Sequence, residues 1–366
     1  RAMNLSTNSA LNRLKWIRRN KDKQNLNNQN AKLNFSGTTL STLSPLPISS
    51  FKKISNHETN KAKNKNYFHW SEGDISLGRI GKNGNASRKE NLTNSITYGV
   101  DKFKDDNGVQ GFAFRYGIDD VDVGDVGSNL DSRNYNITYY NTSPMKNDTK
   151  YIDKIFGIGR INSDIRINQV GSILTADRTG HQIYGTLKIK DEYKKNSLTF
   201  IPSGQIDLGH TKLDGYEEIG IGNIRTEDQH ISTQNLRAAL ALVDDLSTDK
   251  YTLKRHSKFE YLADINRTSS FQYNYVADSS SVIHDNLETG ALHNFNFEVG
   301  MDIIFPERFS LFVIYERNQT LDNGYSAHTD NLYLAIGYLP NKDTEYAFSL
   351  NGSENLVSNF EIKKNI

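Results

Sequence analysis

Apolar and polar residues alternate along most of the chain after Tyr67. The clearest runs cover residues 96–101, 112–118, 135–140 and 297–303, in which aromatic or aliphatic residues occupy every second position. A period of two indicates β-strands, because successive side chains of a strand point to opposite faces. We count 12 to 14 such runs between Tyr67 and Ile366, which predicts an all-β fold.

The segments between these runs alternate in length. Long polar segments cover residues 82–91, 119–133, 162–179 and 215–229, and short ones cover 104–108, 144–149 and 306–308. Long loops on one rim and short turns on the other are typical of an antiparallel up-and-down β-barrel. The pattern therefore predicts a barrel of 12 to 14 strands.

The two faces of these runs differ in chemistry. One face is rich in aromatic residues, whereas the other combines small residues such as Ala113 and Gly117 with charged ones such as Asp101 and Arg115. Small and charged residues suit a narrow polar lumen, and aromatic residues at strand ends suit the girdles of a transmembrane barrel. The girdle candidates are Tyr67, Trp70, Tyr139, Tyr151, Tyr216, Tyr251, Tyr261, Phe305, Phe309 and Tyr346. We predict a membrane barrel; a soluble sandwich or jelly roll is the alternative.

The residues before Tyr67 follow a different pattern. Residues 6–23 contain neither Gly nor Pro, and Leu11, Leu14 and Ile17 have helical spacing. A helix of this length would be about 27 Å long. Residues 36–66 are polar, include Pro45 and Pro47, and are typical of a linker. We therefore expect a luminal helix and the start of a linker in 1–35, a polar linker in 36–66 and the barrel in 67–366.

Charge sharpens this division. The net charge is +1, but residues 1–65 hold 13 basic and two acidic residues, so this segment carries +11 and the remainder −10. A basic leader can bind nucleic acid or an anionic membrane. Here it lacks the interleaved aromatic residues of a nucleic-acid platform, so we predict no nucleic-acid partner. The chain also lacks an initiator Met and a signal peptide, as expected of a fragment or a processed product.

The sequence contains no specific catalytic or metal-binding motif. Cysteine is absent, which excludes disulfides, thiolate metal sites and a cysteine nucleophile. No metalloprotease, P-loop or nucleophile-elbow pattern occurs. Glu72 and Asp74 share one strand face about 7 Å apart and could serve glycoside acid–base chemistry, but we favour lumen-lining charges. His210, with Asp207 and Asp214 nearby, is predicted to be a rim residue. We expect no metal, no cofactor and no enzymatic activity.

The order of the strand motifs resembles a known family. The motifs are Trp70–Gly78, Ile96–Asp101, Gly111–Gly117, Pro202–Gly220, Leu236–Leu240 and Phe259–Tyr261. Together they resemble the C-terminal β-domain of bacterial autotransporters, the type V secretion translocators, over about residues 5–366. The family usually ends on a strand with a terminal aromatic residue. This chain ends in residues 359–366, so either Phe360 and Ile362 take that role or the assembly signal differs.

The resemblance implies that an N-terminal helix threads a 12-stranded pore and connects to an exported passenger. We expect Arg13, Arg18 and Arg19 to meet lumen carboxylates drawn from Glu72, Asp74, Asp101, Asp207, Glu260, Glu298, Asp302 and Glu316. Some family members cleave their passenger at an Asn–Asn junction inside the pore, and Asn27-Asn28 is the corresponding candidate here.

The resemblance also implies a location and partners. We expect a barrel, most simply a monomer, in the bacterial outer membrane, in contact with its lipid and lipopolysaccharide. The barrel-assembly machinery, periplasmic chaperones and the chain's own passenger would be its protein partners. The alternatives are a porin-like channel without a passenger, a barrel-type outer-membrane hydrolase and a soluble all-β binding or adhesion module.

Overall fold

In the computed structural model, the residues that are described form one helix and twenty strands. It describes residues 2–19, 28–35, 67–80, 89–104, 108–124, 127–145, 149–169, 171–266, 268–288, 291–304, 309–321, 328–338, 344–352 and 356–364. Helix α1 spans Ala2–Arg19. The strands are β1 (Asn28–Phe35), β2 (Phe68–Ile80), β3 (Lys89–Phe103), β4 (Val109–Val123), β5 (Ser128–Pro144), β6 (Lys150–Gln169), β7 (Ser172–Asp191), β8 (Tyr193–Lys195), β9 (Leu198–Leu213), β10 (Tyr216–Glu217), β11 (Ile224–Thr226), β12 (Gln229–Asp245), β13 (Thr252–Asp264), β14 (Thr268–Tyr275), β15 (Asp278–Glu288), β16 (His293–Ile304), β17 (Phe309–Thr320), β18 (His328–Tyr338), β19 (Thr344–Gly352) and β20 (Leu356–Lys364).

The main sheet closes on itself. Each strand from β2 to β7 pairs antiparallel with the next, and the series continues through β9, β12, β13, β16, β17 and β18. Strand β9 pairs with both β7 and β12, and β1 pairs with both β18 and β2, so the pairing returns to its starting point. The twelve alternating strands confirm the predicted antiparallel barrel, at the lower end of the expected count.

Strand β1 is an addition that the sequence pattern did not indicate. It lies antiparallel to β18 and parallel to β2, with Ala31 opposite Leu334 on one side and Gly73 on the other. These residues were expected to begin a linker. In the wall, β1 instead pairs the two edges that an open sheet would leave unpaired, and unpaired edges are costly in a membrane.

The barrel is inverted relative to a soluble protein. Along β4, Ala113 and Arg115 are buried while Phe112 is 61% and Phe114 47% exposed. The same alternation occurs in β6, where Asp153 and Ile155 are buried and Phe156 is exposed. A polar interior with an apolar outer wall is the arrangement of a transmembrane barrel. No helix among the described residues is long and apolar enough to cross a membrane.

Two predicted long loops are mainly strand. Strand β4 continues to Val123 and β5 begins at Ser128, and β6 and β7 contain 20 residues each. A barrel strand needs only about 9–11 residues to cross the bilayer, so these hairpins extend well past it. Their polar composition resembles loop sequence because both faces of an extension meet water.

Smaller sheets accompany the barrel. Strands β10, β11, β14 and β15 form a four-stranded sheet, and β19 pairs with β20. The alternating aromatic residues Phe271, Tyr273 and Tyr275 lie in β14 and therefore outside the barrel wall. Phe360 and Ile362 lie in β20, opposite Phe348 and Tyr346 of β19, whereas the last wall strand is β18.

Candidate functional site

Helix α1 packs inside the barrel through an apolar stripe. Ala10, Leu11, Leu14 and Ile17 recur every three or four residues and are buried on one helix face. They pack against inward side chains of β2, β4, β5 and β6, which are Trp70, Val109, Ala113, Tyr140 and Ile155. Trp70 was expected in an aromatic girdle, but it is 1% exposed and points into the lumen. The helix needs an apolar partner, and Trp70 provides it.

Arg13 forms the most completely buried ion pair between the helix and the wall. Its Nε and Nη2 donate to the two carboxylate oxygens of Asp101 at 2.7 and 2.9 Å. The Tyr140 hydroxyl donates to Asp101 Oδ2 at 2.9 Å, and Trp70 Nε1 donates to that hydroxyl at 2.7 Å. All four residues are at most 1% exposed. A bidentate guanidinium–carboxylate pair fixes both distance and orientation, so this network sets the depth of α1 in the lumen.

Two further cations of α1 reach the wall. Arg18 lies 3.4 Å from Asp153 and 3.3 Å from Glu192, hydrogen-bonds Thr142, and stacks over the Tyr151 ring. Lys15 Nζ lies 3.2 Å from Glu298 Oε2. Both side chains are partly exposed, at 14% and 29%. Their contacts are therefore weaker anchors than that of Arg13.

These contacts define the direction of the helix. Arg18 lies beside the ends of β5 and β7, next to the short connection where Met145 N donates to Lys150 O. Ser9, nine residues earlier, donates to Glu72 at 2.6 Å, farther along the wall. The C-terminal half of α1 therefore lies toward the short-turn rim. The chain that precedes α1 is directed toward the rim with the long hairpins.

The other predicted carboxylates are bound mainly by cations of the wall itself. Arg237 contacts Asp207 at 2.6 Å and Glu260 at 3.3 Å. Lys258 lies 3.5 Å from Glu260 and 3.6 Å from Glu298. His256 lies 3.5 Å from both Glu298 and Asp302, and Asn296 hydrogen-bonds Glu316. Glu298 also receives Lys15 of α1, at 3.2 Å.

The remaining predicted residues are only partly described. The side chains of Arg19, Asp74 and Asn28 and the whole of Asn27 lie outside what the structure describes. The backbone of Asn28 pairs with Trp70 at the start of β1. Cleavage at Asn27-Asn28 therefore stays a prediction.

Three members of the helix–wall contact set were missed from the sequence. They are Lys15, Asp153 and Glu192. Asp153 could have been found, because Phe156 and Ile158 in the same strand mark the outer face and so place Asp153 on the inner one. Glu192 follows β7 outside any alternation, so no pattern marked it.

The catalytic candidates do not converge. His210 is exposed and stacks on His230, whereas Asp207 is buried on the opposite face of β9. The residues that the structure describes contain no cluster of three or more acidic or histidine side chains suited to a metal. In strand β6, Gly157 makes room for Tyr184, and Gly159 makes room for Asn136 and Gln182. Gly220 and Gly222 instead have positive φ, at 142° and 79°, and form a turn.

A closed antiparallel barrel with an apolar outer wall and a helix in its polar lumen defines a class, the outer-membrane barrels with an occupied pore. The chain matches the family model of the autotransporter β-domain over residues 69–316, more than half of its length. It therefore belongs to the autotransporter family, and it is a translocator domain of the bacterial outer membrane.

Solved structures agree on the fold. The translocator domain of the autotransporter NalP from Neisseria meningitidis has a TM-score of 0.56 and 15% identity, covering 72% of this chain and 85% of that one. The β-domain of the Bordetella autotransporter BrkA has a TM-score of 0.51 and 12% identity, covering 75% and 99%. No curated protein sequence matches the chain significantly.

Proposed function

We propose that α1 is the closing element of this translocator and that the chain anchors an N-terminal passenger at the cell surface. The buried Arg13–Asp101 pair carries the proposal, because a bidentate pair fixes α1 at one depth in the lumen. The apolar contacts of Leu14 and Ile17 support it. Together they hold α1 where a conducting path would otherwise run.

The direction of α1 supports the anchoring role. Its N-terminal end is directed toward the rim with the long hairpins, and in outer-membrane barrels the longer loops are extracellular. A passenger that precedes α1 would then emerge outside the cell. Arg18 and Arg19 would complete the cationic face of the helix at the opposite end.

The proposed export is passive. The polar lumen and the barrel-assembly machinery would pass an unfolded passenger outward, with periplasmic chaperones keeping it unfolded and outer-membrane lipid and lipopolysaccharide surrounding the wall. Catalysis plays no part in this scheme. The porin-like and hydrolase alternatives are less well supported, because α1 occupies the lumen and His210 and Asp207 lie on opposite faces of β9.

Conductance in planar bilayers tests the closing role. A variant lacking residues 1–35 would lose β1 as well as α1, so the sharper deletion removes residues 2–19 and keeps the wall intact. We expect this deletion to open a steady ion path that the whole chain lacks. Arg133→Met is the matched control, because Arg133 is exposed and its contact to Asp164 lies outside the lumen. Equal conductance for the deletion and the whole chain would contradict the proposal.

A further inference from the structure

Arg115 is a buried cation without a counter-charge among the residues that the structure describes. It lies on the inner face of β4 and is 1% exposed. None of its three guanidinium nitrogens has a hydrogen-bond partner among the described residues, and no described carboxylate forms an ion pair with it. Arg13, equally buried, is by contrast bonded by both oxygens of Asp101. A buried guanidinium normally has a bound anion or a paired carboxylate, because desolvation without one is costly.

The surroundings of Arg115 are rich in unused polar groups. The side chain turns along β4 to lie against Gly117, where Nη1 would be 2.8 Å from an added Cβ. Register places Asn136 opposite Arg115, and Ser95 opposite Gly117. The Asn136 amide nitrogen and the Ser95 hydroxyl are buried and without partners among the described residues. Three potential donor groups of one neighbourhood, including the guanidinium, therefore have no partner among the described residues.

Helix α1 closes this neighbourhood from the lumen side. The Ser6 hydroxyl contacts the hydroxyl of Tyr184, which also feels the charge of Arg115, and the hydroxyl of Thr7 is buried without a partner among the described residues. The first turn of α1 contains no acidic residue. The positive end of a helix therefore adds to the field of Arg115 rather than opposing it.

Nearby described carboxylates are engaged elsewhere. Asp119 accepts hydrogen bonds from Thr93 and Asn134. Glu72 accepts a hydrogen bond from Ser9. The charge balance around Arg115 is therefore incomplete within the part of the chain that the structure describes.

We propose that Arg115 binds a small planar anion of the carboxylate class, enclosed between β4 and the N-terminal half of α1. The guanidinium presents a fork of donors that matches two carboxylate oxygens. The Asn136 amide and the Ser95 hydroxyl supply further donors around it. Because the site exists only while α1 is docked, the anion stabilises the closed barrel. The inference uses the position of α1 and not the export role, so each can fail without the other.

Thermal unfolding of the whole chain in detergent tests the site. Samples are heated to a series of temperatures and run on a gel without boiling, and the midpoint is the temperature at which half of the fast-migrating folded barrel is lost. Sodium formate is the probe, and sodium gluconate at equal ionic strength is the reference, because gluconate is too bulky for an enclosed site. A ligand that binds only the folded state stabilises it by RT ln(1 + L/Kd), where L is the free ligand concentration, so the midpoint rises with the formate concentration. We expect formate to raise the midpoint by several degrees over gluconate.

Two substitutions assign the effect to Arg115. Arg115→Met removes the charge and should abolish the formate shift, and in gluconate it should unfold no earlier than the wild type. Arg115→Lys keeps the charge but lacks the paired N–H donors of the guanidinium, so it should retain only a small part of the formate shift. This variant replaces Arg115→Met in the test if the Met variant does not fold. The exposed control Arg133→Met should show the full shift.

Two outcomes would overturn the proposal. One is a formate shift that persists in both Arg115 variants. The other is a wild type without any formate shift. The second outcome combined with a shift in Asp74→Asn would mean that Asp74, which register places opposite Ser95, supplies the counter-charge.

Discussion

The lumen has two arcs that balance their charges in different ways. In the helix-facing arc, formed by β2 to β7, Asp101 is paired with Arg13 of α1, and Asp153 receives Arg18 of α1 at 3.4 Å beside Lys190 of the wall at 2.6 Å. In the self-paired arc, formed by β9, β12, β13 and β16, the carboxylates are matched by Arg237, Lys258 and His256 of the wall. The difference teaches that the helix-facing arc depends on α1 for its buried pair at Asp101, whereas the self-paired arc receives only the partly exposed Lys15, at Glu298. Removing α1 should leave unmatched charge in the first arc and little in the second.

The largest expected effect breaks the helix-facing arc at Asp101. Asp101→Asn removes the carboxylate that binds the buried Arg13 through two hydrogen bonds, and breaking a buried ion pair typically costs about 3–5 kcal/mol. We expect α1 to leave the lumen, with a lower unfolding midpoint and a raised conductance. Asp207→Asn is the matched change in the self-paired arc, where Arg237 keeps Glu260 at 3.3 Å. If both variants conduct equally, the two arcs do not differ as described.

A smaller effect is expected from crowding the Tyr184 ring, which packs closely against Gly157 in the helix-facing arc. A Cβ at Gly157 would overlap the Tyr184 ring, whose hydroxyl lies 2.6 Å from Thr138 Oγ1. Gly157→Ala should therefore destabilise the barrel by roughly 1–3 kcal/mol, as overpacking does. Gly185→Ala is the control, because its Cβ would meet only the Ile155 carbonyl oxygen at 3.5 Å. Denaturant unfolding measures both, and equal stability of the two variants would argue against the close packing of Tyr184.

The smallest effect concerns a pair outside both arcs. A hydrogen bond from Lys212 lowers the pKa of Asp228, which lies in the connection before β12. A carboxyl whose pKa is lowered by folding adds stability above its ordinary range, and that stability is lost as pH falls through the folded pKa. Asp228→Asn should therefore flatten the acid limb of the stability curve slightly and leave neutral conductance unchanged. A change in conductance would place Asp228 in the pore.

Much of the fold was predictable from alternation alone. Runs such as 112–118 and 297–303 identified wall strands and their two faces, because a one-residue shift would move every apolar side chain into the lumen. Trp70 and the hairpin extensions were misassigned. An inward tryptophan resembles a girdle residue in sequence, and a strand with water on both faces resembles a loop.

The candidate site was less predictable. The sequence pointed to Arg13, Arg18 and Asp101. In the structure, Arg13 contacts Asp101 and Arg18 contacts Asp153. It also suggested Asp207, Glu260 and Asp302 as helix partners, whereas the structure pairs them with the wall. Alternation specifies which face a carboxylate occupies. It does not specify which of several cations around a closed ring will be nearest.

The sequence by itself therefore determined the class: a period-two wall, a basic helix with an apolar stripe, and inward charges. These follow from neighbours within a few residues, which any folded state of the chain must respect. Tertiary structure alone decided that β1 joins the wall beside β2 and that Arg13 rather than Arg18 is the fully buried anchor. It also left Arg115 without a partner within the described part of the chain. Each depends on residues far apart in sequence that ring closure brings together, and local periodicity contains no information about that closure.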